Sequence, residues 1–263
     1  MNAIDFNEMY KKEREKMLNN LSNTNTSIFE KRERLEIKKY ELKENLYYID
    51  NFISEKEEQA LLQEIYKNKD WISLSNRRLM NLGGTPHIDG MIQEDLPKYI
   101  VNFSETLEQS LKFSEIDIKF NQVLLNEYSN GKGIDYHKDG PLYKPLAVII
   151  SLISNALITF KKEKEDKILF SVLLKPRSLL IFSDNLFTDY YHGIIESKTD
   201  LLDETCLNVN KEDYGKYIER DKVRLSLTIR STISSKERDY SDEEKYEIAR
   251  RKNWWVNSIN EKY

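Results

Sequence analysis

Apolar positions in this chain follow two different spacings. Between residues 54 and 111 they recur at helical intervals. Ser54 with Glu57 forms a capping box ahead of Ala60, Leu61, Leu62 and Ile65, and Pro97 opens a second stripe of Ile100, Phe103, Leu107 and Leu111. Leu46 to Ile53 is a strand-like run in front of the first helix. From Ile118 onward the pattern becomes a series of short β-rich runs bounded by turns, over 118–128, 146–160, 168–174, 178–183, 188–195 and 223–233. Strands that follow one another without intervening helices predict a mainly β fold, an antiparallel sandwich or jelly roll, with the two helices packed outside it.

The ends of the chain follow another rule. Residues 1–45 are rich in Lys, Glu, Arg and Asn, with Tyr10, Met17, Leu18 and Leu21 on a narrow stripe, which predicts a charged helical or partly disordered extension. Its segment from Lys31 to Lys39 reads as a solvated face. Residues 197–222 are polar and interrupt the strand rhythm, as a surface insertion would. Ser241 with Glu244 caps a C-terminal helix expected over 236–263, and Trp254 and Trp255 should dock it onto the domain. With a formal net charge of -4, nucleic-acid binding would need a local basic patch. The single cysteine, Cys206, cannot close an internal disulfide, and no apolar run has the length of a membrane span. The expected protein is an intracellular monomer of the cytoplasm or nucleus without a membrane anchor.

Candidate chemistry lies on the β-rich half. Asn126 and Tyr128 fall two apart on one strand and share a face, while Val123, Leu125 and Glu127 take the other. A turn containing Asn130-Gly131-Lys132-Gly133 then leads to His137 and Asp139, again two apart. His192, in Tyr190-Tyr191-His192-Gly193-Ile194, supplies a third ligand from another strand; a buried imidazole without a partner would be costly in its place. Two imidazoles and one carboxylate form the facial triad of non-haem Fe(II) oxygenases, which leaves coordination positions open for a cosubstrate and dioxygen. In the last strand Arg224, Ser226, Thr228 and Arg230 share a face opposite Val223, Leu225, Leu227 and Ile229. Two arginines turned into a barrel call for anions, and a dicarboxylate 2-oxo acid meets that demand.

These motifs, in this order, resemble the AlkB-type Fe(II)/2-oxoglutarate-dependent dioxygenases. Within that family the chain is most similar to the sixth AlkB homologue of eukaryotes, through Asp50-Asn51-Phe52-Ile53-Ser54, the run Arg77 to His87, His137-Lys138-Asp139-Gly140-Pro141-Leu142-Tyr143 and Lys175-Pro176-Arg177-Ser178-Leu179-Leu180. The resemblance implies a double-stranded β-helix domain over 46–235. It implies a catalytic Fe(II) site at His137, Asp139 and His192, with Asn126 and Tyr128 contacting 2-oxoglutarate and Arg224 pairing with its distal carboxylate. Ser226, Thr228 and Arg230 complete that pocket. It further implies oxidative demethylation of alkylated bases in single-stranded DNA or RNA. Pro141 stands where the bacterial repair enzyme has a base-contacting carboxylate, and Ser226 stands where the family has Asn. Base specificity is therefore open. The segment Asn76 to Gly90 occupies the place of a nucleotide-recognition lid, where Arg77, Arg78 and His87 could meet phosphate or base, or it is a structural loop. A protein side chain as substrate, or a metal-binding interaction module without turnover, are the alternatives.

Overall fold

The computed structural model describes residues 29, 35–87, 90–111, 118–164, 166–220 and 222–233. Residues 1–28 and 30–34 of the extension expected over 1–45, and the C-terminal helix with Ser241, Glu244, Trp254 and Trp255, lie outside the described residues. In chain order the strands are β1 (Glu41–Lys43), β2 (Leu46–Ile49), β3 (Ile72–Ser73), β4 (Arg78–Leu82), β5 (Gly84–His87), β6 (Gly90–Gln93), β7 (Gln122–Tyr128) and β8 (Ile134–His137). They continue as β9 (Leu146–Leu152), β10 (Ala156–Lys161), β11 (Phe170–Leu174), β12 (Leu179–Ser183), β13 (Tyr191–Ile194), β14 (Thr199–Leu201), β15 (Tyr217–Glu219) and β16 (Arg224–Arg230). The helices are α1 (Glu55–Lys67), α2 (Lys98–Ser110) and the short α3 (Asn185–Thr188).

Among the described residues an eight-stranded sheet, ordered β1-β2-β12-β9-β16-β7-β4-β3, faces a four-stranded sheet, ordered β11-β10-β13-β8. The paired strands of both sheets are antiparallel, which is the predicted jelly roll. Period-two alternation decides what each face meets. Val123, Leu125, Leu225, Leu227 and Ile229 turn outward into a core with Leu61 and Ile65 of α1 and Phe103 and Leu107 of α2. The opposite face of β7 and β16 turns toward the small sheet. Phe160, Phe182, Ile149, Ile158 and Leu174 fill the space between the sheets. Among the described residues no helix is long and apolar enough to cross a membrane.

The capping box is present in both directions: Ser54 Oγ accepts from the Glu57 amide at 3.2 Å, and Glu57 accepts from the Ser54 amide at 2.8 Å. Ser54→Ala should cost about 1 kcal/mol of stability, the usual worth of such a cap. It would appear in urea unfolding as a lower midpoint at unchanged slope, and an unchanged midpoint would show that packing of α1 alone sets its end. Pro97 is the N-cap of α2, one position earlier than a first-turn proline.

Three expectations are corrected. The ordered domain starts before Leu46, since Leu35 donates its amide to Ser110 and β1 pairs with β2 at the edge of the large sheet. The run 146–160 is two strands, broken at residues 153–155, where Ile153 has a φ of 74° and its amide donates to Glu58 at 2.8 Å. The run 188–195 begins within α3 and becomes extended only at Tyr191. The polar segment 197–222 lies between β13 and β16, where β14 pairs with β15, Leu202 and Cys206 bury against Leu173, and Arg220 forms an ion pair with Asp200 with both side chains buried.

Candidate active site

β8 and β13 pair with His137 directly opposite His192. This approach depends on small residues. A Cβ on Gly193 would lie 3.0 Å from the Ile134 carbonyl oxygen, and one on Gly133 would lie 2.0 Å from the Ile194 carbonyl oxygen. With hydrogens there instead, the two imidazole centroids sit 4.4 Å apart. Asp139 follows two residues after His137, its Oδ1 4.0 Å from His137 Nε2. Ligand-capable atoms of all three residues lie within 4.8 Å of one another, a group that could hold a metal ion.

Hydrogen bonding, burial and neighbouring charge prepare the three side chains for that task. His137 Nδ1 lies 2.9 Å from the Asp135 carbonyl oxygen, which can only accept, so Nδ1 carries the proton and Nε2 keeps its lone pair. His192 is buried with Nδ1 unpartnered, its ring 5.0 Å from Phe182. Burial, and then the neighbouring His137, push its pKa down to about 3, so the imidazole is neutral and able to ligate. Burial alone would raise the Asp139 carboxyl, but the charge and hydrogen bond of Arg230, with a smaller contribution from the two imidazoles whenever they are protonated, outweigh it and hold the group below the ordinary carboxylate range. Arg230 Nη1 meets Asp139 Oδ1 at 3.1 Å, while Oδ2 is buried without a partner. Unpaired polar atoms of this kind are costly in a packed interior and are what a bound cation would satisfy. His137 is the exposed member, its side chain 36% accessible, so the centre opens toward solvent on that side.

The centre lines a pocket of about 500 Å³, open mouth included, whose far wall is β7 and β16. Register brings Tyr128 opposite Arg224, and Asn126 opposite Ser226. Asn126, Tyr128, Arg224, Ser226, Thr228 and Arg230 all line it, as their shared face predicts. Apolar side chains of Ile134, Ile149, Ile158 and Leu174 form the remaining walls. Arg224 is buried, donates from Nη2 to Ser151 at 2.9 Å, and lies 5.6 Å from the Tyr128 ring centroid, while its Nε has no partner. Burial lowers its pKa to about 10, which still leaves a full positive charge at neutral pH. This cation is available for an anion.

The two arginines therefore differ: Arg230 has a carboxylate of the protein itself, and Arg224 has none among its hydrogen-bond partners. Sequence reasoning missed the Arg230–Asp139 pair, the Tyr143 ring 4.1 Å from the Arg230 guanidinium, and Ser151. Ser151 could have been found as the lone polar residue in the run Leu146 to Leu152.

The expected substrate residues do not act together. Arg78 is corrected: it forms an ion pair with buried Glu127, and its guanidinium lies 4.2 Å from the Trp71 ring on the helix side of β4, so it faces away from the pocket. Arg77 is half-buried, and Nε donates to Asn126 Oδ1 at 3.0 Å. His87 is the last residue of β5, next to residues 88–89, which lie outside the described residues.

The sequence profile of the 2OG-Fe(II) oxygenase superfamily matches residues 81–230. The chain is 36% identical over 214 residues to a Danio rerio protein named "Probable RNA/DNA demethylase ALKBH6", an alignment covering 74% of this chain and 90% of that one. It is 29% identical over 201 residues to the Mus musculus tRNA (carboxymethyluridine(34)-5-O)-methyltransferase ALKBH8, covering 72% of this chain and 29% of that protein. The solved structure of OsALKBH1 superposes with a TM-score of 0.49 at 17% identity, covering 71% of this chain and 98% of that one.

Proposed function

Because the chain belongs to the 2OG-Fe(II) oxygenase superfamily, an enzyme family that works with Fe(II), 2-oxoglutarate and dioxygen, we propose that this dioxygenase oxidatively demethylates alkylated bases in single-stranded DNA or RNA. His137, Asp139 and His192 would hold the iron. Arg224 would take the far carboxylate of 2-oxoglutarate. The observation that carries the substrate class is the 36% identity, across most of both chains, to a protein named as a probable RNA/DNA demethylase.

Bound at this site, Fe(II) supplies a hydroxylation in which one oxygen atom of O₂ enters succinate, released with carbon dioxide, and the other enters a substrate C–H bond. On an N-methyl group the product is a hemiaminal, which breaks its C–N bond, returns a proton to nitrogen and releases formaldehyde. The chain's own part is binding and exclusion. His137 is held in one tautomer by Asp135, and Asp139 stays ionised through Arg230. Asn126, Tyr128, Ser226 and Thr228 offer donors along the pocket to the oxygens of the cosubstrate. Ile134, Ile149, Ile158 and Leu174 keep water from it. The half-exposed side of the centre at His137 is where a base would enter.

Incubation with Fe(II), ascorbate and 2-oxoglutarate of methylated single-stranded RNA, methylated single-stranded DNA and methylated peptides, each read by mass spectrometry, tests the proposal. One or both oligonucleotide classes should lose a methyl group with matching formaldehyde and succinate. Oxidised peptides beside unchanged oligonucleotides would reassign the substrate to protein.

A further inference from the structure

Arg77 stands at the root of the β4–β6 segment, immediately before β4, yet its side chain reaches the wall of the cosubstrate pocket. Nε donates to Asn126 Oδ1 at 3.0 Å, and Nη1 donates to Asn76 Oδ1 at 3.3 Å. Asn76 in turn donates to the Gly133 carbonyl at 3.2 Å, in the turn that leads into β8 and His137. An arginine can only donate. The carboxamide oxygen of Asn126 must therefore face Arg77, and its NH₂ group is turned the other way. Asn126 is buried and lines the pocket, and the anionic cosubstrate has oxygens that can only accept. A carboxamide free to flip has to be turned by the cosubstrate itself, at a cost in affinity that a carboxamide already held in place does not bear.

We propose that Arg77 is a positioning residue for 2-oxoglutarate: it fixes the Asn126 carboxamide with its NH₂ toward the cosubstrate, and so ties the root of the β4–β6 segment to cosubstrate binding. The inference rests on the assignment of this pocket to 2-oxoglutarate. It also changes the part played by Arg77, from a contact to phosphate to a contact within the pocket wall. Asn76 extends the tie to β8, so the same two residues brace the cosubstrate strand and the approach to the metal strand.

A double-mutant cycle decides it, with 2-oxoglutarate affinity measured by titration calorimetry on the full chain loaded with Mn(II). Arg77→Ala and Asn126→Ala should each weaken 2-oxoglutarate on the order of tenfold, the scale of one orienting hydrogen bond. The double variant should be no weaker than Asn126→Ala alone, because Arg77 acts through that residue. Arg77→Lys, which keeps a donor, should recover part of the loss. Mn(II) affinity without cosubstrate and the thermal midpoint should stay near wild type in Arg77→Ala, which separates positioning from general loosening. Additive losses, or an Arg77→Ala variant that binds like wild type while Asn126→Ala is weakened, would overturn the inference and leave the pocket assignment standing. Wild-type affinity in Asn126→Ala would likewise overturn the inference, whereas absence of 2-oxoglutarate binding by the wild-type protein would overturn the pocket assignment beneath it.

Discussion

His192→Ala and Asp139→Ala should both abolish the weak visible charge-transfer band that Fe(II) and 2-oxoglutarate give together under anaerobic conditions, and with it all turnover. Each removes one of the three side chains whose ligand atoms converge within 4.8 Å. The two variants should nevertheless differ in stability. Truncating His192 takes away a neutral ring beside Phe182 and leaves the charged pair behind it in place. Truncating Asp139 also strips Arg230 of its carboxylate, leaving a buried guanidinium unpaired at a cost of about 3–5 kcal/mol. Metal-free unfolding curves should therefore place Asp139→Ala well below wild type through this added effect, and Asp139→Asn should not restore the charge. A band that persists in either variant would move the metal elsewhere. Equal stability of Asp139→Ala and wild type would mean that Arg230 finds another partner or reaches water.

Asp139 shows why part of this site was legible and part was not. Strict alternation is enough to place His137 with Asp139, Asn126 with Tyr128, and Arg224 with Ser226, Thr228 and Arg230 on common faces, since a one-residue slip would turn every side chain over. His192 could be joined to them because few histidines exist and a buried one needs a purpose. Pairing across the barrel is a different matter. Both arginines of β16 were expected to seek an anionic ligand, yet one is answered by the metal-binding carboxylate itself, a contact between distant segments that no periodicity reports. Glu127 carried a usable signal: a carboxylate on the apolar face of β7 demands a buried cation, and Arg78, paired to it in register across β4, is that cation. Following that demand would have removed Arg78 from the substrate candidates. The break at residues 153–155 was hidden for another reason. Ile153 is β-branched and reads as strand, while the backbone there turns at a φ of 74° because Glu58, far back in the chain, holds its amide.

Arg224→Ala should weaken 2-oxoglutarate more than any other single change in the cosubstrate pocket. This guanidinium is buried and charged, and among the described residues it donates to the Ser151 hydroxyl and lies beside the Tyr128 ring, with Nε unsatisfied. An incoming carboxylate would pair with that cation in a water-poor cleft. Removing the cation from the complex leaves the carboxylate desolvated and unmatched, a loss of about 2–5 kcal/mol, equivalent to roughly thirtyfold or more in affinity. Arg230→Ala should act differently, because its first effect falls on Asp139: metal affinity should drop, and 2-oxoglutarate binding at saturating Mn(II) should suffer less than in Arg224→Ala. A buried cation without a hydrogen-bonded carboxylate is also a burden on the empty fold. Arg224→Ala should therefore leave the ligand-free thermal midpoint close to wild type or raise it, while the stabilisation conferred by added 2-oxoglutarate disappears. Calorimetric titration of 2-oxoglutarate into the Mn(II)-loaded variants, with thermal melts at several cosubstrate concentrations, reads both effects. Wild-type affinity in Arg224→Ala would exclude Arg224 as the partner of the distal carboxylate and transfer that role to Arg230.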